Sequence, residues 1–332
     1  MKSVLVTGAS SGFGLGVSIE LARRGWRVFA AMRNLEKRAA LDAKAAEAGV
    51  SDRIELVELD VTVPASVERG VAETLAKAGG ALDAVLNNAG YSILGAFEDL
   101  SDEACRQQMD TNFFGVLAVT RAVLPSMRAA GRGRIVIVTS NAVNSPHPLL
   151  TMYAASKWAL EGWAEGLAME IEPFGLEVAL LQPGAHRTEF ASNVEFLAAE
   201  NGPYAAWIAE AMPGIAKLDE WGRSPALAIG PIADAVTSER VAFRQQVGED
   251  SKVFAALKGA APFETRALLL RAICGLPGPG AYCATGAETP DLAYPVLTDV
   301  LGVALDRAGK DPALAAMLAR SFGLPAAAHA DG

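Results

Sequence analysis

The sequence predicts an α/β fold: a doubly wound parallel sheet of about seven strands, with a helical lid insertion and a helical C-terminal extension. Short apolar runs alternate with helix-length runs from residue 3 to about residue 250, the rhythm of a parallel sheet with helices on both faces. The apolar runs are of the continuous kind found in strands covered on both sides. A glycine-rich turn directly follows the first of them.

Taken in order, strands are expected at residues 4–6, 27–32, 54–59, 84–86, 134–139 and 177–181, with a seventh at 241–247. Between them, residues 12–24, 35–47, 64–78, 102–130 and 151–173 have helical length and periodicity. Pro64 in a first turn and Gly131 just past a helix end are start and stop signals. Right-handed crossovers between parallel strands make the sheet doubly wound, and such sheets bind ligands beyond the carboxyl ends of their strands.

Two stretches depart from this repeat. Residues 189 to about 225 form an insertion with Phe190, Phe196, Tyr204, Trp207, Met212 and Trp221. An apolar insertion over the strand ends reads as a substrate lid, and equally as a surface helix pair packing its own small core. The run Leu276-Pro277-Gly278-Pro279-Gly280 opens a tail with helical stretches at 294–307 and 312–321. A catalytic domain over residues 1–275 and an extension over 276–332 follow, the last residues of the tail being expected to be disordered.

Composition limits the partners. The 332 residues carry 29 Lys and Arg against 38 Asp and Glu, a net charge of -9, so no basic field exists to hold nucleic acid or an anionic membrane. The first strand begins near residue 4, which leaves no room for a leader and predicts a cytoplasmic protein. No apolar run approaches the roughly 20 residues that span a bilayer. Cys105, Cys274 and Cys283 lack metal-site or redox spacing and read as small apolar residues.

The glycine-rich turn is Thr7-Gly8-Ala9-Ser10-Ser11-Gly12-Phe13-Gly14. Between a strand and a helix, Gly8, Gly12 and Gly14 allow a tight turn and bring backbone N–H groups against a pyrophosphate at a helix N-terminus. The spacing is GxxxGxG, with Val17 where a third glycine of the GxGxxG pattern falls, so the turn alone also fits a plain tight loop. Further on, Tyr153 and Lys157 stand four residues apart; on a helix they share one face, phenol beside ammonium.

These features recur in one order with Asp60-Val61, Asn87-Asn88-Ala89-Gly90, Asn112, Ser140, Pro183-Gly184 and Thr188. In this combination the sequence, over roughly residues 3–250, closely resembles the short-chain dehydrogenase/reductase family, in its single-domain branch with TGxxxGxG and YxxxK motifs. The resemblance implies a Rossmann-like sheet, a nicotinamide cofactor in the turn of Gly8, Ser10, Ser11, Gly12, Phe13 and Gly14, and oxidoreductase activity. It puts Asp60 and Val61 at the adenine end, Asn88, Ala89 and Gly90 beside the ribose, and Pro183, Gly184 and Thr188 near the carboxamide. Tyr153 and Lys157 then flank the nicotinamide ribose. Arg33 closes the second strand after Met32, where NAD-specific members carry Asp; a guanidinium there suits a 2′-phosphate, so NADP(H) is expected over NAD(H).

The expected mechanism moves a hydride between nicotinamide and a carbonyl carbon while Tyr153 gives or takes the proton. A free tyrosine has a pKa of about 10, so this role predicts neighbours that lower it, Lys157 supplying positive charge and an oxidised nicotinamide adding more. Ser140 would bind the reacting oxygen, and Asn112 would by resemblance interrupt a helix and hold a water that passes protons from Lys157. No metal is required. His147 and His186, in adjoining loops, read as incidental. Residues 141–152 lack clustered cations and the insertion is aromatic, so a hydrophobic ketone, aldehyde or secondary alcohol is the expected substrate. The resemblance also implies a homodimer or homotetramer through helices 102–130 and 151–173. A catalytically silent NADP(H)-sensing protein and a scaffold working through its tail are the alternatives.

Overall fold

The computed structural model describes residues 1–188, 194–197, 202–220 and 222–274. The extension over 276–332, with its expected helices, and Phe190 and Trp221 of the insertion lie outside the described residues.

Seven parallel strands form the main sheet: β1 (Ser3–Thr7), β2 (Arg27–Met32), β3 (Ile54–Glu58), β4 (Ala84–Asn87), β6 (Gly133–Val138), β7 (Leu176–Pro183) and β9 (Arg244–Val247), in the order β3-β2-β1-β4-β6-β7-β9. Every pairing is parallel, with Val4 opposite both Val28 and Ala84, and Leu180 opposite Arg244. Side chains alternate across the sheet. Val4, Val6, Val28, Ala30, Val136 and Val138 enter one core, while Leu5, Phe29, Ala31, Ile135 and Ile137 enter the other. This two-sided burial is why the strands read as continuous apolar runs.

Helices α1 (Gly12–Arg23), α2 (Ala39–Glu47) and α8 (Ala226–Thr237) supply Leu15, Leu41 and Ile232 to the first core. Helices α3 (Pro64–Ala78), α5 (Gly115–Ala130) and α6 (Thr151–Ile171) bury Val71, Val119 and Leu160 in the second. Pro64 stands at the start of α3, and Gly131 ends α5 in a left-handed conformation. Strand order reverses between β1 and β4, which makes their carboxyl ends the topological switch point.

Several elements differ from expectation. Residues 35–38 form a 3-10 turn, Leu35–Arg38, ahead of α2. The expected helix 102–130 is divided into α4 (Asp102–Met109), a π-helical turn (Asp110–Phe114) and α5. Contrary to the sequence expectation, this stretch is long and apolar enough to cross a bilayer, with mean hydropathy 1.2; yet Val116, Val119, Val123 and Met127 are buried in the second core. The insertion includes a strand, β8 (Val194–Phe196), which pairs in parallel with β5 (Ser92–Leu94) as a separate two-stranded sheet. Helix α7 (Ala205–Glu220) follows, and α9 (Glu249–Ala260) and α10 (Phe263–Cys274) close the described chain.

Candidate active site

The glycine turn occupies the switch point. Gly8 and Gly12 have φ of 69° and 53°, backbone that L side chains rarely adopt. A Cβ on Gly14 would press on the Gly8 carbonyl and stand 2.6 Å from Asn88 Nδ2. Asn88 stitches the turn to β4: its Nδ2 donates to Thr7 O (2.9 Å) and Gly8 O (3.3 Å), while Thr7 Oγ1 accepts from the N–H groups of Asn88 (3.0 Å) and Ala89 (3.1 Å). Ser11 precedes α1 without a side-chain cap, and Ser10, Ser11 and Phe13 are half-buried. A close-packed backbone cradle opening a helix is the form that receives a pyrophosphate, so the turn fits a dinucleotide.

The adenosine end is less committed. Asp60 Oδ1 accepts from Thr62 N (2.9 Å) and Thr62 Oγ1 (2.7 Å), so this carboxylate closes its own turn. Val61 packs where a Cβ on Gly115 would stand, at 2.8 Å. Arg33 is exposed just past β2, while Met32 is 3% exposed and belongs to the core. At the other end, Pro183 finishes β7 and Gly184 N donates to Val247 O (2.9 Å). Thr188 N donates to His186 O (2.9 Å), and His186 lies edge-on to Phe13 at 5.3 Å, tying this loop to the glycine turn.

Helix α6 brings the remaining residues together. Tyr153 is 9% exposed and hydrogen-bonds the Ser140 side chain. Lys157, 4% exposed, donates from Nζ to Val138 O (3.0 Å) and stands 5.8 Å from the Tyr153 ring centroid. Ser140 Oγ also accepts from Ala142 N (3.1 Å). Asn112, fully buried in the π-helical turn, accepts from Tyr91 N (3.1 Å) and donates to Tyr91 O (2.9 Å) and Ser156 Oγ (3.1 Å). The widened turn lets its side chain face inward. Gly90 lies between: a Cβ there would be 3.1 Å from Asn112 Oδ1 and 3.5 Å from Lys157 Nζ.

The electrostatics correct one expectation. Burial pushes the Tyr153 phenol up to about 12, and the Ser140 hydrogen bond only opposes that rise. Burial likewise pushes Lys157 down to about 8. Desolvation penalises the charged form of each. His147 is held neutral, its pKa lowered to about 4 by burial, with its ring edge-on to Phe254.

Beside these groups, Ala96, Leu149 and Ile208 form an apolar cluster with Leu94, Tyr204, Trp207, Met212 and Ile215. The insertion therefore shares its core with the loop between Ser140 and Tyr153. Leu149 has φ 65°, a strained value for leucine, and its carbonyl accepts from Gly95 N (2.9 Å). Sequence reasoning missed Glu161, Thr139 and Gln182, a buried polar set behind Ser140 that half-buried Arg244 closes from the sheet edge. The i+4 spacing from Lys157 to Glu161 was the available signal.

The family model for short chain dehydrogenases matches residues 2–196. Over 275 residues the chain is 35% identical to the uncharacterized oxidoreductase YusZ of Bacillus subtilis, covering 81% of this chain and 97% of that protein. It is 34% identical over 247 residues to the 3-ketodihydrosphingosine reductase of Bacteroides thetaiotaomicron, covering 74% and 87% of the two chains. The structure also matches a single-substitution variant of the actinorhodin polyketide ketoreductase solved with NADPH, with TM-score 0.63, 28% identity and coverage of 74% of this chain and 95% of the other.

Proposed function

The chain belongs to the short-chain dehydrogenase/reductase family of oxidoreductases, and from that premise we propose that it is an NADP(H)-dependent reductase of hydrophobic ketones or aldehydes. The observation that carries this reading is the buried Tyr153, hydrogen-bonded to Ser140 and one helical turn from Lys157. The residues that would hold the cofactor are Gly8, Ser10, Ser11, Gly12, Phe13 and Gly14 at the pyrophosphate, Asp60 and Val61 at the adenine end, and Asn88, Ala89 and Gly90 beside the ribose. Pro183, Gly184 and Thr188 would hold the carboxamide. Bound reduced nicotinamide supplies the hydride for the carbonyl carbon.

A phenol with pKa about 12 is fully protonated near neutrality, so Tyr153 is charged with the proton that the reduced carbonyl oxygen must receive. Ser140 orients that oxygen against the phenol. Lys157 holds the nicotinamide ribose, and Asn112 stands across Gly90 from it to support reprotonation from solvent.

Exposed Arg33, with no carboxylate at the end of β2, supports NADPH over NADH; the NADPH in the matched ketoreductase agrees. The apolar cluster around Leu149 and Trp207 supports a hydrophobic substrate, in keeping with the reductase of 3-ketodihydrosphingosine among the relatives. Exposed Phe114 and Met169 on the α4–α5 and α6 side support a homodimer or homotetramer.

The test is consumption of NADPH and NADH across a panel of hydrophobic ketones and aldehydes, with Tyr153→Phe beside the wild type. Turnover that prefers NADPH and collapses in the variant supports the reading. Cofactor binding without turnover on any compound would replace it with the sensing protein.

A further inference from the structure

Three consecutive residues leaving β6 are each held by a different rung of α6. Lys157 Nζ donates to Val138 O (3.0 Å), Thr139 Oγ1 donates to Glu161 Oε1 (2.8 Å) with Leu181 O (2.9 Å) as its other acceptor, and Tyr153 hydrogen-bonds Ser140. Tyr153, Lys157 and Glu161 occupy positions i, i+4 and i+8 of the helix, one face.

Glu161 is 5% exposed. Its Oε1 also accepts from Gln182 Nε2 (2.9 Å), and its Oε2 from Arg244 Nε (2.7 Å). Gln182 Oε1 in turn accepts from Asn144 Nδ2 (2.8 Å), four residues past Ser140. One carboxylate therefore reaches residues on β7 and β9 and the residue following β6, and it brackets Ser140 by holding Thr139 directly and Asn144 through Gln182.

Stability does not account for this arrangement. The Glu161–Arg244 pair contributes little net stability, because Arg244 is half-exposed and shared with Glu165 while the desolvation of Glu161 offsets the attraction. What it supplies is directional fixation of the groups it bonds.

We propose that Glu161 is a positioning residue that fixes Ser140 against Tyr153, neutralised from the sheet edge by Arg244. This rests on the reading in which Ser140 and Tyr153 act on the carbonyl oxygen. It predicts that Glu161 acts only through Ser140, and a double-mutant cycle detects that.

The variants are Glu161→Gln and Thr139→Val, each alone and combined with Ser140→Ala. They are assayed with NADPH on the panel compound that the wild type reduces fastest, and NADPH affinity is measured by fluorescence titration. Misplacing one oxyanion donor is expected to lower kcat about 10- to 100-fold, below the loss seen when such a donor is removed outright, with NADPH Kd within about threefold. In the Ser140→Ala background the further fall should be under about threefold.

Losses that multiply in full, or wild-type kcat in both single variants, overturn the proposal. If Glu161→Gln shows no cooperative melt, Thr139→Val decides alone, since it leaves the carboxylate bonded to Gln182 and Arg244. Wild-type kcat in Ser140→Ala and Tyr153→Phe would instead overturn the active-site reading on which the proposal rests.

Discussion

Replacing Lys157 with Met should stabilise the protein while abolishing turnover. Burial lowers this ammonium from its ordinary 10.5 to about 8, so keeping it charged at pH 7 costs the folded state about 3 kcal/mol. The hydrogen bond to Val138 O returns about 1 kcal/mol, and Met fills much of the same volume. The variant should gain roughly 2 kcal/mol, or about 3 °C in Tm for a chain of this size. The sign follows from linkage: between about pH 8 and 10.5 the unfolded chain binds the proton that the folded chain has lost, so wild-type stability rises with pH there. The advantage of the variant should therefore shrink to under about 1 kcal/mol by pH 10. Thermal melts of both proteins at pH 7 and pH 10, without cofactor, measure it. A variant that melts lower at pH 7, or a gap that does not change with pH, would refute the reasoning.

Tyr153→Phe should lower kcat by about 10²- to 10⁴-fold with NADPH Kd nearly unchanged, measured by steady-state kinetics beside fluorescence titration; a fall in affinity of the same size would assign the residue to binding. Arg33→Ser should weaken NADPH by about 10- to 100-fold, the worth of a charge-assisted bond, and leave NADH unaffected; equal losses for both would remove Arg33 from phosphate recognition. Gly14→Ala would press a methyl group on the Gly8 carbonyl and Asn88, at a cost of about 1–3 kcal/mol. Its Tm should fall, and NADPH should no longer protect it against heat.

The sheet was legible because burial on both faces leaves its mark at every position, as in Val4-Leu5-Val6 and in Ile135 to Val138. The pairing of β5 with β8 was not, since each strand has three residues and the partners lie about a hundred positions apart; so short a run carries no period of its own. Asp60 shows a limit of another kind. A carboxylate after a strand reads as a ligand contact, and only the structure shows that its Oδ1 also closes a turn with Thr62, leaving Oδ2 for a ligand. The sign of the Tyr153 shift was misread for a similar reason. Spacing reveals the charge four residues away but not the depth of burial, and desolvation outweighs the hydrogen bond from Ser140.

The same burial explains why the site is built as it is. Tyr153, Lys157 and Glu161 each place a polar group where solvent cannot reach it, and each therefore needs a partner fixed in space. The partners are the last residue of β6 and the two that follow it, one per helical turn of α6. A shift of the helix along the strand would break all three links together, so none of the groups can drift alone. Catalytic geometry is thus held by the cost of leaving a buried polar group without its partner, about 1–3 kcal/mol for each broken link. Cutting the outermost link at Thr139 should therefore disturb the chemistry at Ser140 before it disturbs the fold.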